Sequence, residues 1–115
     1  MPRQIIIAHD DTDFLDQASL ALREAGYDDI SVFSDSNGAL FALTRGAELL
    51  ITRVAFPSGT HGIALALMAK RSRRDIKIVF AARPEFREQA RGLGEFIAMP
   101  VNIADLVATV KRLIG

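Results

Sequence analysis

Five short apolar runs punctuate the chain: Ile5-Ile6-Ile7-Ala8, Ile30-Ser31-Val32-Phe33, Leu49-Leu50-Ile51, residues 76–82, and Phe96-Ile97-Ala98-Met99. Three or four adjacent apolar residues without alternation predict strands covered on both faces. The run Ile30–Phe33 is the least apolar, which suits an edge strand. The segments between the runs carry helical periodicity. The first helix opens at Asp11 or Thr12, with Asp13 and Asp16 near its positive end. Phe14, Ala18, Leu22 and Ala25 form its buried stripe, and Gly26 stops it. A second helix is predicted over 36–45, stopped by Gly46, and a third over 60–72 with a basic C-terminal end. A fourth starts at Pro84, a favourable first-turn residue, and stops near Gly92. The fifth has the clearest period, in Ile103, Leu106, Val107, Val110, Leu113 and Ile114. Asn102 caps it, with Asp105 three residues on in the manner of a capping box.

The resulting order is (βα)5. Right-handed crossovers then require an open parallel sheet with helices on both faces. In such sheets the functional crevice lies beyond the carboxyl ends of the strands. The residues that follow the strands are His9, Asp10 and Asp11, then Arg53, then Ala81, then Met99-Pro100. These are the positions where chemistry is expected.

Length and composition narrow the picture. The 115 residues suit one domain. Fourteen basic residues balance fourteen acidic ones, which gives no overall pull toward nucleic acid or anionic membrane. The absence of cysteine excludes disulfides, thiolate metal sites and thiol catalysis. The N-terminus turns acidic after three isoleucines, too short for a signal peptide, and no apolar run approaches the ~20 residues of a membrane span. A cytoplasmic location is the expectation.

The residues at these landmarks resemble the response-regulator receiver family of two-component signalling, and the resemblance covers essentially the whole chain. "IIIAHDDTDFL" resembles the first strand and its acidic loop. "LLITRVAFPSGTHGI" resembles the third strand, the acceptor position, a following proline and the glycine that opens the next helix, with one extra residue in the 57–62 loop. "IVFAARPEF" resembles the fourth strand, which in the family ends in Thr or Ser then Ala. "EFIAMPVNIADLVATVKRL" resembles the fifth strand with its Lys-Pro and the closing helix. The resemblance implies a flavodoxin-like sheet in the order 2-1-3-4-5, as in the chemotaxis member of this family.

In that family a histidine kinase donates a phosphoryl group to an aspartate. Acidic residues hold a magnesium ion, and a hydroxyl and a lysine stabilise the charge. Here the acceptor position reads Arg53, which has no nucleophilic oxygen. The hydroxyl position reads Ala81, the lysine position Met99 and the first acidic position His9. Asp10 and Asp11 survive, as helix-capping acids, as partners for the Arg53 guanidinium or as ligands of a cation that Arg53 would repel. Phe96, three residues before Met99, lies where the family places an aromatic switch; a plain core phenylalanine is the other reading. The expectation is that Phe96 turns inward to fill space beside Ala81.

These readings describe a degenerate receiver without phosphorylation chemistry, spanning residues 1–115 with no output domain. It is expected to have no catalytic residue, metal or cofactor, and to bind a protein: a histidine kinase, another regulator or itself as a homodimer. The resemblance points to the face formed by the fourth helix, fifth strand and fifth helix, with Arg87, Arg91, Glu95, Asp105 and Lys111 as a mixed-charge rim. Two alternatives stand beside it. One is a receiver modified elsewhere, on Thr52 or His9. The other is a small ligand-binding protein on the same fold, since fold does not decide function. His61 reads as a loop residue. The run Lys70, Arg71, Arg73, Arg74 reads as a solvated helix end without a nucleic-acid motif.

Overall fold

All five apolar runs become strands of one parallel sheet in the computed structural model, which describes residues 4–57 and 59–115. Residues 1–3 and 58, on which the N-terminal and 57–62 loop readings partly fall, lie outside the described residues. The elements are β1 (Ile5–Ala8), α1 (Thr12–Glu24), β2 (Ile30–Phe33), α2 (Ser36–Leu43), β3 (Leu49–Thr52) and α3 (Gly62–Ser72). They continue with β4 (Lys77–Ala82), a 3-10 turn (Pro84–Phe86), α4 (Arg87–Ala90), β5 (Glu95–Ala98) and α5 (Ile103–Ile114). The sheet order is β2-β1-β3-β4-β5, the flavodoxin-like arrangement. β2 lies at one edge and β5 at the other.

Strand alternation divides the core in two. Ile6, Ala8, Leu50, Ile78, Phe80 and Ala82 point to one side and meet Ala39 and Leu43 of α2, Leu65, Ala66 and Ala69 of α3, and Ala90 of α4. Ile5, Ile7, Leu49, Ile51, Val79 and Ala81 point to the other and meet Phe14, Leu15, Ala18 and Leu22 of α1 with Leu106 and Val110 of α5. β1 and β3 are buried along their whole length because both faces are covered. Each such Leu or Ile contributes about 1.5–3 kcal/mol relative to exposure.

Caps set the helix starts. The Asp11 carboxylate accepts from the Phe14 N–H, Asp35 from the Gly38 N–H and Asn102 from the Asp105 N–H. His61 is not a plain loop residue: it caps α3, its Nδ1 accepting from the Ile63 N–H at 3.3 Å. That cap puts the start of α3 at Gly62 and not at residue 60. α2 ends at Leu43, short of Arg45, and Ala25 caps α1 where a stripe residue was expected. The fourth helix departs most. The segment 84–92 holds a 3-10 turn and one α turn, and Ala90 is its one buried residue. Its apolar residues, Phe86 and Ala90, supply no stripe wide enough to pin a longer helix.

Candidate functional site

The ends of β1 and β3 are adjacent because these strands pair in register, Ala8 opposite Thr52. The Arg53 N–H extends the ladder by one bond, to the Ala8 carbonyl at 3.2 Å. Arg53 is therefore level with His9 and one residue short of Asp10, within side-chain reach of it, and the Arg53 Nη1 donates to Oδ1 of Asp10. Both side chains are partly buried, 24% and 29% exposed. Behind the pair, α3 begins against the Arg53–Val54 main chain. A Cβ on Gly62 would lie 1.8 Å from the Arg53 carbonyl oxygen, so only glycine fits there. The Gly62 N–H closes the contact on the Val54 carbonyl at 2.7 Å.

The two aspartates have separate work. Asp11 caps α1, while Asp10 accepts from Arg53. His9 is buried at the end of β1. Its Nε2 lies 3.0 Å from the Ala81 carbonyl oxygen, and its Nδ1 accepts from the Asp11 N–H at 3.1 Å. That pattern fits one neutral tautomer, with the proton on Nε2. Its ring also packs on Phe14, with centroids 4.8 Å apart. Burial holds the His9 pKa below its ordinary value; the Ala81 bond opposes this, Arg53 adds to it, and the two aspartates oppose it. His9 therefore ties β1 to β4 as an uncharged bridge, with both ring nitrogens engaged.

An open crevice of about 230 Å³ lies over these residues, lined by His9, Asp11, Arg53, Ala82, Arg83 and Met99. Ala82 lines its wall, while Ala81, level with Arg53 because Phe80 pairs with Thr52, lies beneath it with its carbonyl oxygen against the His9 ring. Ala81 is fully buried and packs with Ile97 and Met99 on the α1–α5 side. The strand period is two, so Ala81 and Ala82 face opposite sides of the sheet. The same register corrects the expectation for Phe96. Phe96 pairs with Phe80 while Ala81 pairs with Ile97, so Phe96 and Ala81 lie on opposite faces of the sheet. The Phe96 ring is half-buried on the α2–α3–α4 side, with the Arg87 guanidinium 4.6 Å from its centroid. It does not fill a space beside Ala81.

The chemical inventory of the crevice is short. It contains two guanidinium groups, one carboxylate committed to a helix cap, a neutral imidazole and apolar walls. The residues do not suit a magnesium ion: of the two candidate oxygen donors, Asp11 caps a helix and Asp10 holds Arg53, whose charge opposes a dication. Thr52 is buried, its hydroxyl donating to the Arg53 carbonyl at 2.9 Å.

Two of the residues expected at the partner rim are held in ion pairs. Arg91 pairs with Glu88 at 3.3 Å, and Glu95 accepts from Arg112 of α5. Arg112, the neighbour of Lys111 in sequence, is the α5 residue that reaches Glu95. Lys111 faces Ala25, Gly26 and Tyr27 at the end of α1 instead. A spacing signal for this exists, because adjacent helical residues differ by about 100°, but it needs the sheet to say which side is which.

No family model matches the chain, and a comparison with curated proteins finds no match. Comparison of folds is decisive. The BeF3-activated receiver domain of DrrB, a Thermotoga maritima protein, superposes with a TM-score of 0.85 at 21% identity, covering 99% of this chain and 98% of that one. The chain has the receiver fold. A response-regulator receiver domain protein from Methanospirillum hungatei gives 0.84 at 23% identity, with 97% and 93% covered. The Vibrio cholerae chemotaxis protein CheY4 gives 0.83 at 18% identity, with 99% and 100% covered. On this receiver fold, the Arg53–Asp10 pair sits at the carboxyl ends of β1 and β3, within the crevice that such sheets use for function.

Proposed function

We propose that this chain is a degenerate receiver domain of two-component signalling that acts as a protein-interaction module without needing phosphorylation. The observation that carries the reading is the Arg53–Asp10 pair. A fixed cation stands where the receiver resemblance implies a nucleophilic carboxylate and an exchangeable metal. Ala82 and Ala81 offer no hydroxyl in either register, and Met99 offers no charge. Both alternative acceptors are also poorly placed. Thr52 is buried, and both His9 nitrogens are engaged. An enzymatic reading lacks a nucleophile with a free base beside it. The partner on this reading is a histidine kinase, another regulator or a second copy. It is engaged through α4, β5 and α5, with Arg87, Arg91, Glu95, Asp105 and Lys111 at the rim and Arg112 beside them, paired to Glu95. Among the described residues no helix is long and apolar enough to cross a membrane, and a cytoplasmic location accompanies the proposal.

The test is incubation with a small phosphodonor and magnesium, read by intact mass. The expected result is no phosphoryl adduct, and a partner affinity unchanged by the treatment. A phosphoryl group on Asp10 or Asp11, abolished by chelator, would restore the ordinary receiver chemistry. One on Thr52 or His9 would establish the receiver modified elsewhere.

A further inference from the structure

The even balance of acids and bases conceals a separation in space. Residues 10–35 hold eight acids and one base, Arg23, while residues 36–77 hold seven bases and two acids, Glu48 and Asp75. With the Arg53–Asp10 pair set aside, seven acids against one base leave −6 on the first segment, and six bases against two acids leave +4 on the second. The sheet stands between their helices, because α1 packs on one side and α2 and α3 on the other. The opposing charges within each segment are already in these counts. Arg23 is turned to the Asp28 and Ile30 carbonyls. Asp75 and Glu48 share Arg73, and Lys77 also attracts Asp75. The C-terminal ends of α2 and α3 subtract about one charge between them, which leaves about +3 on the basic side.

Each charged face has an exposed apolar centre. On α1, Leu20 is 59% exposed, on the side away from the buried Phe14, Leu15, Ala18 and Leu22. Asp16 and Glu24 lie one helical turn to either side of it, and Asp13 two turns before, on the same stripe. Across the sheet, Phe41 of α2 is 71% exposed, and Leu67 and Met68 of α3 are exposed as well. α2 and α3 pack side by side, and neither contains an acid. Arg45 follows Phe41 by one turn, and Arg71 follows Leu67 and Met68 by one turn. Asp13, Asp16, Glu24, Arg45, Lys70 and Arg71 form no ion pair among the described residues.

We propose that the α1 face of one copy docks on the α2–α3 face of another, so that the chain associates with itself head to tail. Charge complementarity selects the occupant. The acidic helix that the basic face calls for is carried by the same chain, with an apolar residue at its centre and charges at its rim. An amphipathic helix laid in the groove between two others is a common mode of recognition. The two faces differ, so the contact is heterologous, and every assembly keeps one acidic and one basic face open for a further copy. The apolar centres are small, so the association is transient and salt-dependent. It uses neither the Arg53 crevice nor the α4–β5–α5 face, and so stands apart from the receiver reading.

The test is sedimentation of the full chain from micromolar to millimolar concentration, at low and at high ionic strength. The expected result is a mean mass that grows past the dimer with concentration and returns to the monomer in high salt. The double variant Asp16→Asn, Glu24→Gln should weaken association about tenfold or more, and so should Arg45→Gln, Arg71→Gln, with urea midpoints near native showing that both fold. Mixed together, each double variant supplies the face that the other lacks, so the mixture should form one-to-one dimers and nothing larger. A native chain that stays monomeric at millimolar concentration in low salt, variants that associate like the native chain, or a mixture that stays monomeric would overturn the proposal. Association that both double variants retain but reversal of Arg87 and Arg91 abolishes would place the contact on α4–β5–α5 and overturn it too. So would a monomeric native chain whose α2 and α3 amides shift with an acidic amphipathic peptide, which would assign the face to a different protein.

Discussion

Replacing Arg53 with alanine strips the guanidinium from Asp10 and leaves that carboxylate at a crowded strand end. Two unit charges about 4 Å apart attract by about 4 kcal/mol at an effective dielectric near 20. The Arg53 and Asp10 side chains are 24% and 29% exposed, so solvent screens part of this attraction. The native pair also carries a desolvation cost that truncation partly returns. The net loss should be about 1–2 kcal/mol. For a domain of this size that corresponds to a fall in Tm of about 4–10 °C. Urea unfolding of the native chain, Arg53→Ala, Asp10→Ala and the double variant isolates the pairwise term. A coupling energy of about 1 kcal/mol is expected. If the two single losses add to within about 0.3 kcal/mol, the pair is incidental, and the account of the acceptor position given above is wrong.

Arg53→Asp should lower stability in chelator and regain part of it in millimolar magnesium, because adjacent carboxylates repel and a bound cation stabilises the native state; identical unfolding curves with and without magnesium would refute this. His9 makes a pH-dependent contribution: its folded pKa is lowered, so between the folded value and about 6.5 the unfolded chain binds more protons. Stability should therefore be full above about pH 6.5, decline as pH falls through that window and level off below it, and the dependence should flatten in His9→Asn, measured by urea titration across the window. Gly62→Ala should cost about 3 kcal/mol, since its Cβ would collide with the Arg53 carbonyl oxygen. Charge reversal of Arg87 and Arg91 should weaken partner capture while leaving the unfolding midpoint within about 0.5 kcal/mol of native; unchanged capture would move the search to α1. Amides of α4 should exchange faster than those of α5, because one buried alanine anchors the former.

Much of this protein is decided by local pattern. Ile5-Ile6-Ile7 and Leu49-Leu50-Ile51 read as strands covered on both faces, and both are buried strands. The caps at Asp11 and Asn102 act within three residues of themselves, so composition and period suffice to place α1 and α5. The arginine at position 53 is equally legible, because it lies within a recognisable order of landmarks. What tertiary structure decided is which groups meet across the sheet. The partition of Asp10 to Arg53 and Asp11 to its helix depends on the β1–β3 register, which no local window contains. The face of Ala82, and hence the separation of Phe96 from Ala81, depends on a register where one residue inverts the side. His9 is satisfied by a carbonyl 72 positions away in the chain. Arg112 reaches Glu95 while Lys111 turns to α1, because α5 is rotated by its packing and not by its charges. Apolar periodicity acts through burial, which each segment carries in itself; hydrogen bonds and ion pairs act only between groups that the fold has already brought together.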